Sequence, residues 1–152
     1  MKNIYIRDGR APLPLRESTS RVMSANRARN THPELSLRKS LWKEGVKGYR
    51  LHWEKADGRP DIAFPGRKIA IFVNGCFWHR CPYCQLSVPK AHTDFWERKF
   101  DDNARRDELK VRQLREAGWN VLTLWECQLQ KNMGQAVMRI KELLSVQAVT
   151  KR

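Results

Sequence analysis

NGCFWHRCPYC, residues 74–84, carries three of the chain's four cysteines, Cys76, Cys81 and Cys84, in the spacing C-x4-C-x2-C. The fourth, Cys127, follows 43 residues later. Two thiolates two residues apart can wrap one ion through a tight turn, which Pro82 favours, and a distant fourth ligand ties that loop to another element. Four soft ligands with none left over describe one tetrahedral site. Zinc suits it because it takes four thiolates without redox chemistry, and an ion fully coordinated by protein is structural rather than catalytic. The competing reading is free or disulfide-bonded cysteine, but disulfides belong to oxidising compartments and the sequence shows no secretory signal.

Working outward from this knot, Lys68 to Val73 reads as a buried strand, and Pro65-Gly66 turns the chain back onto Ile62-Ala63-Phe64, predicting a hairpin. Tyr49 to Trp53 alternates as a further strand. Upstream, Thr31-x-x-Glu34 is a capping box with Pro33 in the first turn, predicting a helix whose inner face is Leu35, Leu41 and Trp42 and which ends at Gly45. Downstream, Thr93 and Asp94 can start a long helix over Asp94–Ala117, closed by Gly118, on which Asn103 and Asp107 share a face. Trp119 to Trp125 is rich in β-formers and delivers Cys127 just past its end. After Gly134 comes a last amphipathic helix with Val137, Ile140 and Leu144 inside. The order of elements predicts a single α/β domain built on a small mixed sheet flanked by helices.

At 152 residues and 41% apolar composition the chain can bury one real core and no second one. Its net charge of +14 points to a polyanionic partner. Six tryptophans interleaved with arginines fit nucleic acid better than a membrane, and the longest apolar run, Ile69 to Val73, is far too short to cross a bilayer. Residues 1–30 hold seven Lys or Arg against Asp8 and Glu17, with Pro12 and Pro14 interrupting any regular element. Residues 1–19 are therefore expected to form a basic arm along phosphates, residues 20–147 the folded domain and residues 148–152 a tail.

Chemistry is sought among carboxylates and histidines. Asp61 follows a glycine and a proline at the start of a strand, where a carboxylate can hold a hard cation such as magnesium, although a surface aspartate in a turn is the commoner case. His79, between two cysteines, is spare for proton transfer if four thiolates fill the metal site, and Asp107 could fix its tautomer. Glu34 already has a structural task as a helix cap. Phe77 and Trp78 either pack on the metal loop or project as a wedge between base pairs.

These residues resemble a known family. GRPDI at 58–62, FVNGCFWHRCPYC at 72–84, Pro89, FWERKF at 95–100, NARRD at 103–107 and GWNVLTLWEC at 118–127 look like the very short patch repair (Vsr) endonucleases, from about Ser20 to Leu129 in the same order. The resemblance implies a restriction-endonuclease-like fold of the PD-(D/E)xK type. It also implies magnesium-dependent nicking of one DNA strand on the 5′ side of the thymine in a thymine–guanine (T:G) mismatch. Such mismatches arise by deamination of 5-methylcytosine, so the implied partners are mismatched double-stranded DNA and, functionally, a cytosine-5 methyltransferase system. The implied setting is the bacterial cytoplasm, on the nucleoid when bound to DNA, with a monomer sufficient for a single nick.

By position, Asp61 resembles the metal-binding aspartate and the Val73 carbonyl a second oxygen on the magnesium. His79 resembles the histidine that activates water, Asp107 its carboxylate partner and Glu34 an auxiliary acid. Cys76, Cys81, Cys84 and Cys127 fall on structural zinc ligands, and Met23, Phe77, Trp78 and Trp96 on residues that insert into or brace the DNA. The wider nuclease superfamily carries an acidic-x-Lys element on the second strand, whereas Ile71-Phe72-Val73 is wholly apolar here and the histidine fills that vacancy. Two positions depart from the pattern: Asn74 stands where some members have a second histidine, and Val73 where some have threonine. An amide cannot shuttle protons near neutrality, so an auxiliary acid role at Asn74 is in doubt. The alternatives are a catalytically silent, zinc-stabilised DNA-binding module, or a homologue with altered mismatch or strand specificity.

Overall fold

A computed structural model describes residues 29–150, with side chains to residue 146. The expected basic arm, residues 1–19, and Met23 lie outside the described residues. Within them the chain runs α1 (His32–Lys43), β1 (Arg50–Leu51), β2 (Ile62–Phe64), a 3-10 turn (Pro65–Arg67), β3 (Ile69–Asn74), α2 (Cys76–His79), α3 (Thr93–Glu116), β4 (Asn120–Trp125), α4 (Glu126–Lys131) and α5 (Met133–Thr150).

The four strands form one mixed sheet in the order β1-β2-β3-β4. β1 and β2 pair antiparallel, β2 and β3 form the expected hairpin with Ala63 opposite Ala70, and β4 lies parallel to β3 with Val73 opposite Leu124. β3 is an inner strand and is buried from Ile69 to Val73, as a strand covered on both faces must be. Its side chains alternate between two cores. Ile69, Ile71 and Val73 pack with Leu37 and Leu41 of α1 and Val137 and Ile140 of α5, whereas Ala70 and Phe72 face Leu114 of α3. The result is a sheet between two helical layers, with the larger core on the α1/α5 side.

Thr31 caps α1 as the sequence predicts, accepting from the Glu34 N–H at 3.4 Å. The reciprocal half of the box is displaced by one residue, because the Glu34 carboxylate accepts from the N–H of Asn30 rather than Thr31, at 3.1 Å. The inner face of α1 differs from expectation. Leu37 and Leu41 are fully buried, while Leu35 and Trp42 are 47% and 63% exposed. Those two are seven residues apart and share the outer face, where Lys47 covers the Trp42 ring with its ammonium 4.2 Å from the centroid.

β1 is shorter than the Tyr49–Trp53 strand predicted because His52 adopts left-handed backbone, φ +47°. That departure from strand geometry turns its side chain toward the start of β2. The loop carrying Cys76 to His79 contains a short helix, and Cys127 lies in α4 rather than in a plain loop. Gly118, φ +87°, ends α3 where the sequence places its stop.

Candidate active site

The carboxyl-terminal end of β3 brings the candidate residues together. Asp61 immediately precedes β2, and its Oδ2 accepts a 2.7 Å hydrogen bond from the Val73 N–H near the end of β3. The Asp61 carboxyl is pushed up to about 7, mainly by burial and further by the neighbouring Glu34 carboxylate. The Val73 N–H, Lys110 and His79 oppose that rise. A partly buried carboxylate beside another carboxylate gains from a divalent cation, which offsets both the desolvation and the repulsion.

Glu34 is buried, and His52 stands between it and Asp61. The His52 Nε2 is 3.7 Å from Glu34 Oε2, and its Nδ1 is 3.9 Å from Asp61 Oδ1. The three side chains could together hold a metal ion, their ligand atoms lying within 4.8 Å of one another. Sequence reading missed His52. Its signal is the antiparallel pairing of β1 with β2, which continues as a hydrogen bond from the His52 N–H to the Asp61 carbonyl at 3.1 Å. Only the tertiary pairing makes that histidine a neighbour of the aspartate.

His79 ends α2, and its Nδ1 meets Asp107 Oδ2 at 2.5 Å. Nδ1 bonded to a carboxylate is the protonated nitrogen, so Nε2 is left as an acceptor. One turn earlier on the same face of α3, Asn103 donates to the Trp78 carbonyl at 3.0 Å. α3 therefore holds the α2 turn at two successive residues, as the shared face of Asn103 and Asp107 predicts.

The thiols converge as the spacing predicts. Cys76, Cys81, Cys84 and Cys127 place their sulfurs within 4.8 Å of one another, and Cys81 and Cys127 are 3.6 Å apart. That separation is far beyond a disulfide bond and close to the edge of about 3.8 Å that four sulfurs at about 2.3 Å from one ion define. The Cys127 N–H donates to the Cys76 sulfur at 3.3 Å and the Tyr83 N–H to that of Cys81 at 3.4 Å, bonds that favour thiolates. The donor set fits zinc.

Phe77 and Trp78 sit half-buried on a ring cluster, with Phe77 5.6 Å from Trp96 and 5.5 Å from Phe100 between centroids. Trp96 is only 5% exposed. Its ring packs against Phe77 and Trp78, with centroids 5.6 and 5.7 Å away. The Arg80 guanidinium stacks 4.3 Å from the Phe100 centroid and closes the cluster from the α2 side.

The family model described as DNA mismatch endonuclease Vsr matches residues 15–85. A type II nicking enzyme of Xanthomonas oryzae, V.XorIIP, is 38% identical over 125 residues, covering 81% of this chain and 89% of its own length. The chain belongs to the Vsr family. The type II nicking enzyme V.NaeI of Lentzea aerocolonigenes is 42% identical, covering 78% of this chain and 73% of its own. The DNA mismatch endonuclease Vsr of Escherichia coli K12 is 35% identical, covering 88% and 79%. Among solved structures, the catalytic domain of the homing endonuclease I-Bth0305I aligns with a TM-score of 0.53 over 78% of this chain and 98% of that domain, at 21% identity. This last likeness bears on the fold alone. Membership of the Vsr family carries the activity class of a DNA endonuclease.

Proposed function

We propose that this chain is a magnesium-dependent endodeoxyribonuclease of restriction-endonuclease-like fold. In this reading it nicks one strand of duplex DNA 5′ of the thymine in a T:G mismatch, as a monomer in the bacterial cytoplasm. Its work accompanies a cytosine-5 methyltransferase, whose product generates that mismatch on deamination. The observation that carries the reading is the pairing of His79 with Asp107, together with an Asp61 carboxylate fixed at the end of β3 by the Val73 N–H. The mismatch in the name of the Escherichia coli relative and the nicking in the names of the others support the substrate and the single cut.

Asp61 and the Val73 carbonyl would hold the magnesium ion, hard oxygen donors for a hard cation. When bound, magnesium supplies Lewis acidity and neutralises charge on the phosphate. His79 Nε2 takes a proton from the attacking water as the water oxygen bonds to phosphorus and the bond from phosphorus to the departing strand's oxygen breaks; that oxygen takes a proton from solvent, and Asp107 stabilises the imidazolium on His79. Glu34 and His52 fix Asp61 from behind. Phe77 and Trp78, with Met23, open the odd base pair while Trp96 supports them from below. Cys76, Cys81, Cys84 and Cys127 would hold a zinc ion, which would tie the α2 turn that carries His79 to α4.

The test is a nicking assay with magnesium on a panel of duplexes that differ only in one base pair. Cutting of the thymine strand confined to T:G duplexes is the expected result. Equal cutting of fully paired duplexes, or of both strands, would contradict the assigned specificity. Tight binding with no cutting of any duplex would favour a silent DNA-binding module.

A further inference from the structure

The second strand of the hairpin gives this site no cation, because Ile71, Phe72 and Val73 are apolar and buried. A cation arrives instead from α3. Lys110 follows Asp107 by three residues, so the two share a helix face. Its stem lies against the backbone of Gly58, in the loop that leads to Asp61. A Cβ on Gly58 would stand 2.6 Å from Lys110 Cγ and 2.7 Å from its Cβ, and Gly58 has φ +76°, so any side chain there meets both a strained backbone and the lysine stem.

With its stem held, Lys110 lines a small cleft together with Asp107, Asn74, Phe72, Val111 and Thr123. Its ammonium makes no ion pair among the described residues, where the acidic groups nearby are already engaged with His79 and His52. A held stem, a charged end with no ion-pair partner among the described residues and a place beside Asp107 and Asn74 in the cleft suit an external anion.

We propose that Lys110 is a phosphate-binding residue of the active site, its ammonium contacting the DNA strand where Asp61 and the His79–Asp107 pair meet it. This rests on the DNA-nicking reading above. It places on a helix the positive charge that β3 does not supply.

The experiment compares the full chain with Lys110→Met, Lys110→Arg and Gly58→Ala. Binding to a T:G duplex is measured over a salt series without added magnesium, and single-turnover nicking at saturating duplex with it. Loss of one phosphate contact lowers the slope of log affinity against log salt by about 0.9. Lys110→Met is expected to show that loss together with a drop in nicking of roughly 10²-fold, and Lys110→Arg to restore the slope. Gly58→Ala should show the same slope loss, with a melting temperature lowered by the strained backbone. An unchanged slope in Lys110→Met overturns the proposal, and a nicking defect with that unchanged slope would assign the effect to Asp61 alone. If the parent chain fails to nick any duplex while the slope still falls, the nicking reading fails and the phosphate contact stands.

Discussion

Asp61 keeps its proton up to about pH 7 in the folded, metal-free protein, against 3.8 for an unperturbed aspartate. The native state therefore binds more protons than the unfolded chain across that interval, and this group's contribution to stability falls as pH rises through it. The shift corresponds to a loss on the order of 4 kcal/mol by pH 8, an upper figure for a carboxyl that water still partly reaches. Asp61→Asn should thus stabilise the metal-free protein at pH 8 by up to a few kcal/mol and have almost no effect at pH 4, which paired denaturant titrations would measure. Added magnesium should stabilise the parent at pH 8 and not the variant. At this scale Asp61, His79, Asp107 and the cysteines could be read from sequence because their local motifs set them apart. His52 and Lys110 could not, since each acquires its neighbour only through tertiary pairing: one by β1 on β2, the other by the packing of α3 over Gly58. The burial of Trp96 was likewise not legible, as nothing in FWERKF says which ring packs under Phe77 and Trp78.

The short α2 turn is the element on which the site depends, and it is held from two sides. Asn103 and Asp107 of α3 bind its carbonyl and its histidine, and the thiol cluster ties it to α4. Four residues cannot sustain a helix alone, so these ties do the positioning. Asn103→Ala is expected to leave overall stability within about 1 kcal/mol of the parent while lowering nicking at least tenfold, because Trp78 and His79 lose a shared brace. Zinc content by atomic absorption should give one ion per chain, and Cys127→Ala should abolish it and lower the melting temperature. At α1, Thr31→Ala should cost about 1 kcal/mol through the lost cap, and Leu41→Ala about 2–5 kcal/mol through the cavity left in the larger core. The strands and helices were legible because their periodicities are clear. The inner face of α1 was not, because Leu35 and Trp42 look like core residues until α5 is seen to cover only the Leu37–Leu41 stripe.

For the whole molecule, the sheet serves to bring β2, β3 and α3 to one end, where three carboxylates, Glu34, Asp61 and Asp107, and two histidines, His52 and His79, lie beside a ring cluster on a strongly basic chain. In the proposed function the charge of +14 sets how firmly DNA is held, and the few residues around the end of β3 set whether it is cut. Binding and cutting should therefore separate on mutation. The direct measurement is single-turnover cleavage of a T:G duplex with magnesium by the parent chain, Asp61→Ala and His79→Ala, with duplex affinity measured in parallel. The expected result is a nick 5′ of the thymine by the parent and a loss of roughly 10³-fold or more in both variants at nearly unchanged affinity. Cleavage by either variant at the parent's rate would contradict the account.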